Sequence, residues 1–464
     1  MNRLRAPLAF AIAAVLAFAA MRLSLQEDVS SATGSVPLVP AGAIDSERVD
    51  EIVLEREGVV HRFVRKGQGW QQLEPVAHAI DGWSMRQLIG KALKAESVRS
   101  IDLSAFAADA RSKSLVEAGL APAAGKLELI ESADASGQRR KLVIELGRRS
   151  LAGRAYARAS TAAEDAAKTG YAVIDGALHE FALGRDPREF RRRELFVDLG
   201  DVDRLAFRAG ESELVVVKDV RGYRIASPVQ ARADRVQVEE LLDALRRAKS
   251  AGFVSDRPVE LSAYGLGPAM ASLELGADGV TRTLLVGDAV SLGAQDRFGL
   301  IDGTSTVVRI PAEVLATIVP RLDRIVDAVA TGVRARDVGG IEIASGMRRI
   351  SLRRESDGWS STVGEQGGGD SQAGTVERDR VDGLLKALSE TRAQAIELAA
   401  FPSAESIATV TLLGFGGEPL DTVRIARREA DSKWILENGD GVLRLHGSIE
   451  LPLTADELGF RLKR

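Results

Sequence analysis

One succession of residues recurs three times in this chain and constrains its fold more than any other feature. Ile52-Val53-Leu54, Leu205-Ala206-Phe207 and Ile341-Glu342-Ile343 each put apolar residues at alternating positions, the pattern of a strand with one buried face. A second such strand follows in each case, and then a glycine-aromatic pair: Gly69-Trp70, Gly222-Tyr223 and Gly358-Trp359. The separation is identical in all three, from Leu54 to Trp70, Phe207 to Tyr223 and Ile343 to Trp359. A fixed spacing of this kind marks a repeated structural unit.

The agreement continues past the aromatic. Pro75-Val76 and Pro228-Val229 lie at one common offset beyond Trp70 and Tyr223. Asp81 and Asp234 then stand where a helix opens, since a short acidic side chain accepts from the free N–H groups of the first turn. Apolar residues at i, i+3, i+4 and i+7 follow: Met85, Leu88, Ile89, Ala92; Val238, Leu241, Leu242, Leu245; Val381, Leu384, Leu385, Leu388. That is one face of an amphipathic helix laid on a sheet. Leu88 and Leu241 stand equally far beyond the aromatic, whereas Leu384 stands farther from Trp359, the excess falling in the glycine-rich Gly364 to Gly374.

Downstream, Gly119-Leu120-Ala121-Pro122 answers Gly265-Leu266-Gly267-Pro268, and Leu127-Glu128-Leu129 answers Leu273-Glu274-Leu275. Val410-Thr411-Leu412 is the third copy's looser counterpart. Further strands are expected at Leu142 to Leu146, Thr283 to Val286 and Val423 to Ala426, with a closing helix at the end of copies one and two, clearest at Pro311 to Ala330. Copy three ends near Leu462 without room for an equivalent, as the capped end of an array would. The expected fold is α+β: three tandem repeats, each a mainly antiparallel sheet with one or two packed amphipathic helices, over residues 47–199, 200–335 and a divergent 336–464.

Ahead of the repeats, Arg3 and Arg5 precede an uncharged apolar run, Ala6 to Met21, closed by Arg22. Basic residues before such a run keep the N-terminus in the cytoplasm and send the rest across the membrane. Residues 1–22 therefore read as a hydrophobic membrane-anchor helix, with Arg22 able to snorkel, or as a signal peptide cut near the small-x-small Ala17-Phe18-Ala19. The following 23–46, with Ser30 to Gly42 rich in Ser, Gly, Ala and Pro, reads as a flexible linker.

Composition removes several functions. The chain of 464 residues has a net charge of -4 with both signs mixed along it, which is no surface for nucleic acid. It has 0 cysteines, so disulfides, thiolate metal sites and a cysteine nucleophile are out. No Gly-x-Ser-x-Gly elbow occurs. Among the 4 histidines, His61 takes the place of Leu214 and Ile350 in the other copies and so reads as a packed residue. His78 corresponds to Ala231 in a loop, and neither His179 nor His446 has a partner at metal-ligand spacing.

Gly367-Gly368-Gly369 precedes Asp370 and not the Lys-Ser/Thr of a phosphate loop, so it reads as a loop insertion; Gly265-Leu266-Gly267 reads as a turn. Arg191-Arg192-Arg193 is the densest basic cluster, diluted by Asp186, Glu189 and Glu194, and reads as solvated linkage or inter-repeat ion pairing. Trp70, Tyr223 and Trp359 read as core or shelf residues, because they recur beside the same strand. No catalytic, cofactor-binding or metal residue is assigned.

Taken together, the N-terminal hydrophobic segment, the succession Trp70 to Leu93 and Tyr223 to Leu245, the Tyr264-Gly265-Leu266 turn and the arginine-rich Phe190 to Phe196 resemble the domain of unknown function (DUF) 4340 family of bacteria. The resemblance covers copies one and two; in copy three glycines replace the proline loop and the Gly-Leu turn is missing. It implies an extracytoplasmic, membrane-tethered protein, often encoded near ABC-type transport systems, including ones linked to gliding motility, and it brings no catalytic residues. The expected function is accordingly a non-enzymatic interaction or scaffold subunit of the cell envelope, in the bacterial inner membrane with its bulk periplasmic, and with protein partners there. The alternatives are a periplasmic glycan-binding protein released by signal cleavage and, behind it, an envelope hydrolase working through carboxylates.

Overall fold

The structure, a computed structural model, describes residues 36–150, 153–161, 170–196, 199–301, 303–365 and 371–463. The hydrophobic segment 1–22, the linker up to residue 35 and Gly367-Gly368-Gly369 lie outside the described residues. The fold is built on three mainly antiparallel sheets, with a few helices packed on them.

The sheets share one strand order. In each, the strand found first in the repeat (Val49–Arg56, Val202–Ala209, Gly340–Ser345) is central. A meander runs from it toward one edge through Val59–Lys66, Ser212–Asp219 or Arg348–Arg354, then the strand bearing the aromatic, then the short His78–Ile80, Ala231–Arg232 or Gln372–Thr375, outside which the third sheet adds Arg461–Leu462. The chain next makes the amphipathic helix and crosses to the opposite edge (Glu96–Ile101, Gly252–Ser255, Ala395–Leu398). It returns to pair with the other side of the central strand (Gly125–Glu131, Ala271–Ala277, Ser406–Leu413) and fills the gap with a second meander. The register equates the copies residue by residue: Leu54 faces His61, Phe207 faces Leu214 and Ile343 faces Ile350.

The helices Gly82–Leu93, Arg235–Arg247 and Arg378–Ser389 bury the apolar faces read from the sequence. Each such leucine contributes about 1.5–3 kcal/mol by leaving water. Asp81 accepts from Trp83 and Ser84 N–H, and Asp234 from Val236 and Gln237 N–H, as a capping aspartate should. Glu377 in copy three has no such bond, and its longer side chain pairs with Arg461 instead.

Four features depart from the sequence reading. The closing helix expected over Pro311 to Ala330 is two pieces, Ala312–Ile318 and Leu322–Ile325, because Pro320 cannot donate and biases Val319 to an extended ψ of 114°. Copy three does have a closing segment, a single turn at 454–459 with Leu458 fully buried. The residue capping the helix donates its N–H to this segment in every copy: Asp81 to the Phe190 carbonyl (2.8 Å), Asp234 to Ile325 (2.7 Å) and Glu377 to Leu458 (3.0 Å). The segment read as a linker is docked from Val36 onward: Val36 and Pro37 pair with Ser97 and Glu96, and Val39 and Ile44 are buried in the first core. Lastly, Ala108–Glu117 is a helix that the sequence reading missed, since it buries no residue and so lacks the apolar period.

The chain divides into two compact units, one ending at Arg192 and one beginning at Arg193. The first contains the first sheet. The second contains the other two, which are not separate domains: Val442 of the third repeat lies in the core of the second, with Ile396 packed against it. The chain passes from the second repeat to the third by a short antiparallel bridge, Val329 facing Arg392, with Ala393 donating to the Ala328 carbonyl at 2.9 Å.

The Gly-Leu turns are held by glycine on both sides. Gly119 and Gly265 have φ of +68° and +64°, and a Cβ on Gly147 or Gly287 would lie 2.2 or 2.1 Å from the Ala118 or Tyr264 carbonyl oxygen. Gly287→Ala should therefore cost about 1–3 kcal/mol in urea denaturation. By contrast Gly383→Ala, inside a helix and facing open space, should gain about 0.5–1 kcal/mol. Equal effects of the two substitutions would contradict the packing described.

Candidate functional site

The sequence candidates disperse. His61 is buried against Gln72 at 3.4 Å, and Gln72 also accepts from Arg191 Nε at 2.9 Å. Arg191 is thus 2% exposed, part of a buried polar chain and not of a solvated linkage; the buried Gln72 amide accepts from it, and the carboxylate of Asp186 acts on its charge. His78 Nδ1 lies 2.9 Å from the Ala79 carbonyl, and His179 Nε2 lies 3.0 Å from that of Gly147. Burial holds the His179 ring below the ordinary histidine value, so it stays neutral and bonds as a structural group. No group of three His, Asp or Glu side chains converges as metal ligands among the described residues.

Each recurrent aromatic carries a cation from the preceding strand. Arg65 lies 5.4 Å over Trp70, Lys218 5.8 Å over Tyr223 and Arg354 4.8 Å over Trp359, all from directly paired positions. Trp70 and Trp359 are buried, while Tyr223 is half exposed. Burial still pushes its phenol up, keeping it a donor, 3.4 Å from the Val202 carbonyl.

Tyr223 lines a cleft of about 1030 Å³ at the edge of the second sheet, completed by Asp327 and by Asn438 and Asp440 from a hairpin of the third repeat. The acidic side chains of this cleft are paired with bases. Asp201 bonds Lys218 at 2.7 Å and holds its ammonium above the usual lysine range; Glu239 bonds Arg235 at 2.7 Å and Asp243 bonds Arg246 at 2.9 Å. Asp219 lies 3.4 Å from Arg224. A carboxylate pair for acid–base chemistry needs one member free to carry a proton. Here each carboxylate has a cation beside it, an arrangement that orders the surface.

Below the cleft lies a polar node that joins the two repeats. Arg232 bonds Asp327 (3.0 Å) and the Val329 carbonyl (2.7 Å), while Thr331 donates to Asp421 (2.6 Å). Arg444, fully buried, donates to the Asp327 carbonyl (2.9 Å) and to Asp440 (2.7 Å). On the other side, Arg392 reaches the helix cap Asp234 at 2.6 Å. By register Arg444 and His446 occupy the places of Val308 and Ile310 in the second repeat. Two aliphatic positions have thus become ionisable.

His446 is 1% exposed, and its ring nitrogens have no hydrogen-bond partner among the described residues. Burial, aided by Arg444, pushes it down to about 4. The folded protein keeps this ring neutral to about pH 4, while an unfolded chain takes up a proton near pH 6.5. Stability tied to the neutral ring is therefore complete above pH 6.5 and drains as pH falls toward 4, by at most about 3 kcal/mol. The difference in urea stability between His446→Leu and the natural chain should widen in favour of leucine by that amount across the same window. A difference independent of pH would contradict the assignment.

These observations define a class: a chain of repeated antiparallel sheet-and-helix units, two of them fused by a buried ionic node. The family model described as domain of unknown function (DUF4340) matches residues 224–411, from the aromatic-bearing strand of the second repeat to the sixth strand of the third; it bears out the family that the sequence resembles, over the second and third copies and not over the first. The match reaches well into the third copy, whose divergence lies in its loops. No curated protein matches the sequence. Among solved structures, a DNA polymerase sliding clamp from Pseudomonas aeruginosa aligns over 90% of this chain and 99% of its own at 9% identity, with a TM-score of 0.15. DNA polymerase III subunit beta from Borrelia burgdorferi aligns over 89% and 94% at 6% identity, also with a TM-score of 0.15. Scores this low carry no argument about fold or function.

Proposed function

We propose that this chain is a membrane-anchored, extracytoplasmic interaction or scaffold protein, accessory to an ABC-type transport or envelope system. The observation that carries the reading is the threefold use of one sheet-and-helix unit with the same closing hydrogen bond. Repetition multiplies surface, which serves binding to other proteins more than it serves one reaction. The ion-paired cleft at the second sheet supports the same view against an envelope hydrolase. The N-terminal apolar run from Ala6 to Met21 supports tethering.

The test is the mass of the mature protein together with protease added outside the inner membrane. A membrane-bound chain that retains residues 1–22 and loses its bulk to the protease supports the proposal. A bulk that stays protected in the cytoplasm overturns it. A second reading, a periplasmic glycan-binding protein, is favoured by the half-exposed Tyr223 ring among polar groups in its cleft. Glycan binding abolished by Tyr223→Ala would establish that reading in place of the first.

A further inference from the structure

The closing segment differs between copies in a way that leaves a place unfilled. In copies one and two a closing helix lies along one flank of the repeat helix. Lys91 of the first repeat helix sits 5.7 Å over Phe181 of its closing helix, and in the second repeat Leu315 and Ile318 join Leu241 and Leu245 in one core. Aligned on Leu88 and Leu384, Lys91 corresponds to Ala387, while Leu241 and Leu245 correspond to the buried Leu384 and Leu388; one turn before Ala387 the third repeat helix has Gly383. The chain from the last strand to the closing residue is also shorter in the third copy, from His446 to Leu458, than in the others, from Asp175 to Phe190 and from Ile310 to Ile325. No helix forms there, because Pro452 interrupts it and the apolar residues follow a strand-like alternation, Ile449, Leu451, Leu453.

What remains is a cleft of about 1060 Å³, walled by Gly383 and Ala387 on the helix and by Trp434, Ile449 and Leu451 opposite. A two-turn helix is a cylinder about 11 Å long and about 10 Å across, of the same order of volume. A Cβ on Gly383 would meet nothing within 4 Å. The rim is acidic: Glu377, Asp379, Glu450, Asp456 and Glu457 stand against only Arg380 and Lys386. Glu377 is engaged by Arg461 at 3.3 Å, and Glu457 by the N–H groups of Leu453 and Thr454. Asp379, Glu450 and Asp456 have no ion-pair partner among the described residues. His446, whose buried ring is unpartnered, faces Trp434 across the sheet.

We infer that this cleft of the third repeat is a docking site for a basic amphipathic helix of a partner protein, seated where the first two repeats seat their own closing helix. The sister repeats supply the shape of the occupant, and the unpaired carboxylates supply its charge. The inference rests on the interaction reading above and names one surface that serves it.

The probe is a hydrocarbon-stapled helical peptide of residues 311–319 of this chain, made with its natural sequence and with Glu313→Lys and Thr317→Lys. Its binding to the full chain is read by fluorescence anisotropy. The basic peptide is expected to bind more tightly than the natural one. Gly383→Trp, which fills the cleft from an open position, should weaken it by at least about tenfold, and Asp379→Lys with Asp456→Lys by about tenfold with a reduced dependence on salt. Circular dichroism would confirm that these surface variants fold. Equal binding of the two peptides, or binding indifferent to Gly383→Trp, overturns the site. In cells, a photocrosslinker at position 383 should map to a basic amphipathic segment of another protein; mapping to lipid or to a second copy of this chain also overturns it. If partners are still captured through other positions while 383 yields none, the cleft fails and the interaction reading stands.

Discussion

Arg444→Met should destabilise the second unit by about 3–5 kcal/mol, the largest effect expected from any single change at the junction of the second and third repeats. Methionine keeps an unbranched stem but leaves the Asp440 carboxylate, 9% exposed in its side chain, without its cation and the Asp327 carbonyl without its donor. The loss arises from uncompensated burial and not from the net value of the ion pair. Adding Asp440→Asn should therefore restore part of it. Hydrogen exchange should quicken on both sides of the junction, in Arg235–Arg247 as well as in Arg378–Ser389. A cost below about 1 kcal/mol, the range of an exposed pair, would show that the node is wet and that the repeats are not joined through it.

Phe190→Ala should cost the first unit about 3–5 kcal/mol, and Leu458→Ala about 2–5 kcal/mol in the second. Phe190 is 1% exposed, stacks on Phe181 at 5.6 Å and meets Phe63 edge-on at 6.1 Å, so truncation opens a cavity bounded by rings on two sides. Leu458 is 0% exposed and carries the carbonyl that receives the Glu377 N–H. Comparable losses at these two positions, measured by urea denaturation, would establish that the 454–459 turn closes its sheet as the longer segment closes the first. A negligible loss at Leu458 would mean that copy three is open at that end.

The repeat was legible because strands and helices impose periods that survive divergence. The fixed separation of the first strand and the aromatic is a hairpin register, and the apolar faces of all three repeat helices are buried as their spacing predicts. The crossover to the far sheet edge was not legible, because Gly252–Ser255 and Ala395–Leu398 are short edge strands with few buried side chains and hence little alternation. Register also placed His61 correctly beside Leu214 and Ile350, yet the Gln72 and Arg191 that keep its surroundings polar come from a neighbouring strand and from the far end of the repeat. No local pattern announces such pairs.

The cations over Trp70, Tyr223 and Trp359 could have been found. Arg65, Lys218 and Arg354 each precede their aromatic by the same short interval, and the register of a tight hairpin puts such residues face to face. The ionic node was less accessible, since Arg232, Asp327 and Arg444 come from distant parts of the chain and only their burial sets them apart from its many other charges. Comparison of the copies does hold one signal. Arg444 and His446 stand where the second repeat has Val308 and Ile310, and an ionisable residue in an aliphatic place points to a buried partner or a purpose.

Crosslinking in intact cells followed by affinity capture of this chain is the decisive measurement for the scaffold proposal. The chain should be recovered from the membrane fraction with the same envelope proteins each time, and removing the N-terminal segment 1–22 should abolish their capture. Recovery of a freely soluble, cleaved protein with no companion would contradict it.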